Sequence, residues 1–266
     1  MSEAPLRLGG MALGNGLLVH GPTSWAAAIR AADGSIRTAS GSKPRAPAAV
    51  DRVPGARGVV KLGEAMAVIP LVKRALPQAR LPFQSAPVIG AAVAASLGGA
   101  VLRRRFGGGR GDLAGVALSL LPSVVALQAG EVAAYHGVEH KAIAAYEQGS
   151  DDARDAAKEH DRCGSHLMAP MLAANLAGTA LLRRVVDRPT SLHGGLVSLA
   201  SVGVAVEVFV WSERNAESLA ARALRRPGHE LQRALGTREP TEEQLDVGRA
   251  ALEEIVRVER AVSERA

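Results

Sequence analysis

Four long runs of uncharged, mostly apolar residues constrain the fold of this chain more than any other feature of its sequence. They cover residues 81–102, 113–130, 166–182 and 190–212, and Glu207 is the one charged residue among them. A transmembrane helix needs about 20 such residues, and about 17 is the lower limit. The runs therefore predict a mainly α-helical protein whose largest part is a multi-pass transmembrane helical bundle.

Composition favours the same fold and indicates the partner. Apolar residues make up 47% of the chain but aromatic residues only 3%, so Ala and Gly supply much of the packing surface. Small side chains let helices approach closely in lipid. Arginine clusters stand beside the apolar runs, where anionic lipid headgroups would attract them. The predicted partner is therefore a lipid bilayer, and no nucleic-acid-binding motif indicates a specific nucleic acid.

The first 80 residues predict two smaller units. Residues 1–55 form a small β-rich N-terminal unit and linker, in which 9–16 is dense in turn residues and Asp33-Gly34 is a hairpin dipeptide. Residues 56–80 have apolar residues at helical spacing and predict an amphipathic or interfacial helix, with a packed helix of a soluble domain as the alternative. Pro70 is expected to kink or end this helix.

The remaining residues divide into a membrane domain and a soluble end. Residues 81–212 are the membrane helical domain, and its loop at 131–166 carries most of the polar residues with catalytic or metal-binding potential. Residues 213–266 predict a C-terminal soluble helical region, and Thr241 is the expected cap of its last helix.

Two histidines in the motif loop have the spacing of metal ligands. His136 and His140 lie four residues apart, so a helix places them on one face, one turn from each other. Glu139 lies between them, and His-x-x-Glu-His is the order found in inverzincin metallopeptidases, where the glutamate is the general base. The pattern predicts His136 and His140 as metal ligands and Glu139 as the catalytic residue.

A second block about 20 residues later offers further ligands. His160 and Cys163 are separated by two residues, a spacing at which both side chains can reach one ion. A site made of nitrogen and sulfur donors suits a divalent metal of the zinc type. The alternative is a structural cluster in which these side chains only cap and hydrogen-bond a tight loop.

Several sequence blocks resemble one known family. They are Gly9-Gly10-Met11, Tyr135-His136-Gly137-Val138-Glu139-His140-Lys141, Arg162-Cys163-Gly164-Ser165 and Thr237-Arg238-Glu239-Pro240. These blocks are similar to the YqhQ-like bacterial family, a multi-pass membrane family of unassigned function that is sometimes labelled a predicted metal-dependent enzyme. The resemblance implies a membrane location and a metal, but no reaction. The chain departs from the family pattern at Val19-His20 and Ser165-His166, so His166 is not expected to be an essential ligand.

Three functions fit these residues. The first is a metal-dependent hydrolase, with zinc as its cofactor, that acts at the membrane interface on a lipid or membrane-protein substrate. The second is a non-enzymatic membrane scaffold or assembly factor with a structural His/Cys cluster. The third is a transporter that uses the carboxylates of Glu207 and Glu131. Four spans place the motif loop and both termini on the same side of the cell membrane, and the balance of flanking Lys and Arg favours the cytoplasm.

Overall fold

The N-terminal part of the chain folds into a four-stranded antiparallel sheet. The computed structural model of the protein describes residues 5–106, 108–128, 130–150 and 152–265. The strands pair in chain order and are β1 (Gly9–Leu13), β2 (Gly16–His20), β3 (Ser24–Arg30) and β4 (Ile36–Ser42). Gly34 has a φ of +82° in the turn between β3 and β4, which agrees with the hairpin that the sequence predicts.

Strand β1 replaces part of the turn-dense segment that the sequence predicts at residues 9–16. Its glycines pair with β2, with Gly10 opposite Val19. A side chain at Gly10 would place its Cβ 2.6 Å from Cγ of Glu139. Glycine at this position therefore leaves room for the Glu139 side chain, and it does not mark a turn.

Helices cover both faces of the sheet. Helices α5 (Val132–Gln148) and α9 (Glu242–Ser263) pack on the face that includes Leu17 and Ala26, and α1 (Ala56–Ala75) packs on the face that includes Leu18 and Trp25. Burying a large apolar side chain contributes about 1.5–3 kcal/mol. Strand β3 is buried on both sides as a result, and its run of alanines fits between the two helical layers.

Helix α1 connects the sheet to the apolar helices. Val68 and Val72 are fully buried against the sheet, so the C-terminal half of α1 is a packed helix. Its first turns lie on α7 (Ser191–Arg214), where a Cβ at Gly58 would come within 2.5 Å of Val206. Pro70 lies inside the helix and does not end it.

The apolar runs form helices, as predicted. They are α2 (Ala86–Phe106), α3 (Gly108–Ser119), α4 (Leu121–Gln128), α6 (Met168–Val185) and α7. By length and composition, four segments of the described residues could cross a membrane: Ala86–Phe106, Gly109–Gln128, Gly164–Val185 and Ser191–Arg214. The second is interrupted between α3 and α4, next to Pro122, because proline cannot donate a backbone hydrogen bond. Asn175 on α6 donates to Ser198 on α7 across the bundle.

The C-terminal region returns to the sheet at the start of the chain. Helix α8 (Leu219–Leu231) and a π-helical turn (Gln232–Gly236) lead to α9, whose Ile255 and Val247 are fully buried in the same cluster as Leu17. Thr241 caps α9 by accepting from the backbone of Gln244, as the sequence predicts. The first and last parts of the chain therefore share one hydrophobic core.

The two carboxylates of the transporter hypothesis have ordinary structural surroundings. Glu207 accepts hydrogen bonds from the backbone of Gly55, at 2.9 Å, and from Nε of Arg57, at 2.8 Å. Glu131 is an exposed residue at the N-cap of α5, beyond the end of α4. Neither position gives the transporter hypothesis any support.

Candidate metal centre

Helix α5 is the element that positions the histidines. It begins after Gly130 and ends at Gly149, and both glycines have a positive φ. Most of the helix is buried, because β1, α4 and α9 surround it. Gly137 permits one of these contacts: a Cβ there would lie 2.4 Å from the carbonyl oxygen of Arg238. A helix fixed on every side holds its side chains in defined positions.

His136 and His140 point in the same direction. Their ring centroids are 4.4 Å apart. Nδ1 of His136 lies 2.8 Å from the carbonyl oxygen of Gly236, and Nδ1 of His140 lies 2.6 Å from that of Lys158. A carbonyl only accepts, so both Nδ1 atoms must carry the proton. The lone pair of each imidazole is therefore on Nε2.

Cys163 completes a group of three potential ligands. Its Sγ lies 3.3 Å from Nε2 of His136. One ligand atom from each of His136, His140 and Cys163 lies within 4.8 Å of the other two. Nε2 of His140 is buried and has no hydrogen-bond partner among the described residues. A buried acceptor without a partner costs about 1–3 kcal/mol, so this nitrogen is available to an ion.

His160 lies beside this group but has other partners. Its ring centroid is 5.7 Å from that of His140. Nδ1 of His160 accepts from the backbone of Arg162 at 3.2 Å, and Nε2 lies 3.5 Å from a carboxylate oxygen of Glu147. The structure thus brings together three of the four predicted ligands and directs the nitrogens of the fourth elsewhere.

Glu139 is buried next to the group, on the side of β1. Burial raises the pKa of its carboxyl to about 7, an effect that the Cys163 thiol increases and His136 opposes. The side chain makes no hydrogen bond with any residue that the structure describes. At neutral pH, Glu139 can therefore both accept and release a proton.

Burial also sets the protonation of the ligands. Chiefly through desolvation, the pKa of His140 falls to about 3, which keeps this imidazole neutral at pH 7. Burial raises the pKa of the Cys163 thiol. A bound cation would reverse that effect, because metal coordination deprotonates a thiol.

A cavity of about 430 Å³ opens beside the three ligands and Glu139. Most of its other lining is apolar and comes from β1, from Phe83 before α2, and from Ala126 and Leu127 on α4. Because α2 and α4 belong to candidate spans, the cavity lies where the sheet core meets the apolar helices.

Sequence reasoning missed the residues that hold the ligands in place. Gln232 is fully buried, and its amide bonds the backbone of His160 and the hydroxyl of Ser165. Lys141 is also buried and donates to the carbonyl of Arg154 at 2.9 Å. Gln232 follows Leu231 in a polar stretch, and nothing local to it indicates that it reaches the motif loop 66 or more positions earlier.

Four membrane-length apolar helices and a His₂Cys group beside a buried glutamate thus occur in one chain. The chain belongs to the family described as "Protein of unknown function (DUF1385)", whose match covers residues 123–258 and includes His136, His140 and Cys163. Over 143 residues, it is 33% identical to "Uncharacterized protein YqhQ" of Bacillus subtilis (strain 168). The alignment covers 49% of this chain and 42% of that relative, so the chain matches less than half of the relative's length. These matches confirm the YqhQ-like family. No solved structure matches the chain.

Proposed function

We propose that this protein is a multi-pass protein of the cell membrane and a metal-dependent hydrolase. His136, His140 and Cys163 would bind a divalent metal, zinc, and Glu139 would be the general base. The observation that carries the proposal is the convergence of the two Nε2 lone pairs and the thiol sulfur within 4.8 Å. The substrate would be a lipid or membrane protein reached at the membrane interface, with the motif loop on the cytoplasmic side.

The surroundings of the histidines support a metal. A histidine that binds a metal usually donates its other N–H to a carbonyl or carboxylate, which fixes the tautomer. Both Nδ1 atoms do so here, through the carbonyls of Gly236 and Lys158. Two imidazole nitrogens and one thiolate suit zinc.

The number of ligands favours a catalytic site over a structural one. A structural zinc site is usually closed by four protein ligands, whereas a catalytic site has three and an open position. The three ligands here face a cavity, and both ring nitrogens of His160 have other partners. This arrangement gives less support to the scaffold hypothesis, which needs an enclosed cluster.

The chemistry divides between the metal and Glu139. Zinc supplies Lewis acidity, which polarises a carbonyl or phosphoryl oxygen and lowers the pKa of water. Glu139 has its carboxyl beside the same cavity and a pKa near neutrality, so it can take a proton from water and return it to the leaving group. The apolar lining would receive the apolar part of the substrate and exclude water.

Metal analysis of the full chain in an uncharged detergent tests the proposal. We expect about one zinc per chain, and its loss in His136→Ala, His140→Ala and Cys163→Ala. His193→Ala is the matched control, because His193 lies at the start of α7 and bonds Thr190. Cobalt substitution should produce a sulfur-to-metal absorption band that disappears in Cys163→Ala. Equal metal content in the control and in the three ligand variants would contradict the site.

The catalytic role needs a separate measurement. We expect zinc-loaded protein in lipid nanodiscs to hydrolyse a fluorogenic short-chain ester or a quenched fluorescent casein. Glu139→Gln should keep the zinc and lose at least about 100-fold in rate, the usual contribution of a general base. If Glu139→Gln binds zinc as wild type does and hydrolyses the substrates at the same rate, the hydrolase hypothesis is wrong and the scaffold hypothesis is favoured.

A further inference from the structure

A second and larger cavity lies on the other side of His160 and Arg162. This groove has a volume of about 1050 Å³ and runs between the C-terminal end of α5, residues 157–162 and helix α8. His160 and Arg162 line both cavities, so they form the wall between them. The function proposed above does not use the groove.

Arginine is the prevailing residue in this groove. Its five arginines are Arg162, Arg222, Arg225, Arg226 and Arg233. Four carboxylates line it too, and two of them pair with arginines inside the groove, as Glu147–Arg162 and Glu230–Arg233. Asp161 contacts His229, a pair that is charged on both sides only when the imidazole is protonated. Glu159 is the fourth. Within the described part of the chain, Arg222, Arg225 and Arg226 form no ion pair, and the arginines of the groove outnumber its carboxylates by one. The positive charge is concentrated on α8, where these three side chains lie together.

Two of these three arginines are held by the backbone. Arg222 donates to the carbonyl of Glu217 at 3.1 Å, and Arg225 donates to the carbonyl of Ala216 at 3.2 Å. A guanidinium has five N–H donors, so most of them stay available on each side chain. Arginines with fixed side chains lose less entropy when they bind an anion, and their planar fork matches phosphate oxygens.

The groove lies at the end of a candidate span. Helix α7 ends at Arg214, and Trp211 one turn earlier is 44% exposed, which is typical of the membrane–water interface. Helix α8 begins five residues after Arg214 and exposes Leu219 and Leu224 beside its arginines. A cationic helix with exposed leucines suits the headgroup level of a bilayer.

We propose that this groove is a binding site for a phosphate monoester, with Arg222, Arg225 and Arg226 as the phosphate ligands. A lipid headgroup or a soluble phosphate compound can supply this group. The site is independent of the metal and of hydrolysis.

Binding to the full chain in an uncharged detergent tests this site. The probes are dioctanoyl phosphatidic acid, dioctanoyl phosphatidylcholine and inorganic phosphate, measured by thermophoresis. We expect phosphatidic acid to bind at least about tenfold more tightly than phosphatidylcholine, because one charge-assisted hydrogen bond contributes that much. The triple variant Arg222→Gln, Arg225→Gln, Arg226→Gln should lose this preference. If phosphatidic acid binds and inorganic phosphate does not, the natural ligand is a lipid. If inorganic phosphate binds equally well, the natural ligand is a soluble phosphate compound.

The control removes the same charge from another surface. Arg249→Gln, Arg257→Gln, Arg260→Gln changes three exposed arginines of α9, and it should keep the preference within about threefold of wild type. If the α8 triple variant does not fold by circular dichroism, Arg226→Glu replaces it, since Arg226 bonds no described residue. Zinc content should be the same in all variants, which separates this test from that of the hydrolase. Equal losses in the α8 and α9 variants, or no preference in wild type, would overturn the site.

Discussion

Helices α5 and α7 have the opposite order of burial from the one that their relative hydropathy would give in a water-soluble protein, because the more apolar of the two is the more exposed. Helix α5 carries His136, Glu139 and His140, yet 12 of its 17 residues are buried. Helix α7 has a window of mean hydropathy 1.8, yet only four of its 24 residues are buried. The helix that carries the ionisable side chains is inside, and the more apolar helix is outside. The exposed apolar face of α7 is consistent with contact with a lipid bilayer, because lipid tails are as apolar as a leucine side chain.

Helix α5 buries several polar side chains. Burying histidine and glutamate is costly unless each polar atom has a partner. The Nδ1 atoms of both histidines have carbonyl partners, but Nε2 of His140 is buried and has none among the described residues. Because this nitrogen lies beside two other potential ligand atoms and a cavity, it supports the proposed metal site.

The largest effect is expected from charges placed on the outer face of α7. Leu196 and Leu199 are 56% and 51% exposed, and a lysine near the centre of a span costs about 2.5–3.5 kcal/mol. Leu196→Lys together with Leu199→Lys should therefore abolish stable insertion. The measurement is the fraction of protein that stays with membranes after an alkaline carbonate wash.

The matched control adds two lysines to the aqueous helix α9, as Glu253→Lys with Ser263→Lys, where both side chains are exposed. This variant should stay with the membranes as wild type does. Recovery of wild-type protein from the soluble fraction without detergent would contradict the conclusion that the outer face of α7 contacts lipid. The exposed leucines of α7 would then need a protein partner.

A smaller effect is expected when one large apolar side chain is truncated to alanine, either in the core beside the sheet or on the outer face of α7. Ile255 is fully buried between α9 and the sheet, so Ile255→Ala should lower the free energy of unfolding by about 2–5 kcal/mol. Leu196→Ala should lower it by less than about 1 kcal/mol, because the lost contacts are with lipid or detergent. Thermal unfolding in an uncharged detergent, followed by circular dichroism, compares the two. Equal losses would show that the outer face of α7 is packed against protein.

The sequence predicts features that depend on neighbouring residues. The apolar runs are visible because lipid requires about 20 such residues in a row. The Asp33-Gly34 hairpin and the Thr241 cap follow from local backbone chemistry. The convergence of His136 and His140 follows from the helical repeat alone. Each of these needs only one segment of the chain.

Features that depend on distant segments escape prediction. Strand β1 looks like a turn in the sequence, because the reason for Gly10 is the close approach of the Glu139 side chain, 129 positions later in the chain. The ligands of the proposed metal are aligned by carbonyls of Gly236 and Lys158, and backbone carbonyls leave no signal in a sequence. His160 has suitable spacing, but its nitrogens are drawn to Glu147 and Arg162 by contacts that spacing does not reveal.

The smallest effect concerns one ion pair in each region. Arg57 and Glu207 join α1 to the candidate span α7, and their side chains are 28% and 30% exposed to the space that lipid would fill. Arg154 and Glu242 form a pair at 3.0 Å in the aqueous region, with side chains 59% and 65% exposed. Water screens the second pair strongly, so its coupling energy should be between about 0 and 1 kcal/mol. Lipid does not screen the first, and its coupling should reach about 1–3 kcal/mol.

Double-mutant cycles with Arg→Gln and Glu→Gln at each pair measure the two couplings from thermal unfolding in nanodiscs. Glu207→Gln keeps the shape and hydrogen bonding of the side chain, so it should be tolerated better than Glu207→Lys, which opposes Arg57. The charge exchange Arg57→Glu with Glu207→Lys should recover part of that loss, because it restores opposite charges at the same positions. Couplings of equal size in the two pairs would mean that Glu207 is in contact with water. The C-terminal end of α7, from Glu207 onwards, would then lie outside the bilayer, and the membrane boundary would be nearer the centre of that helix.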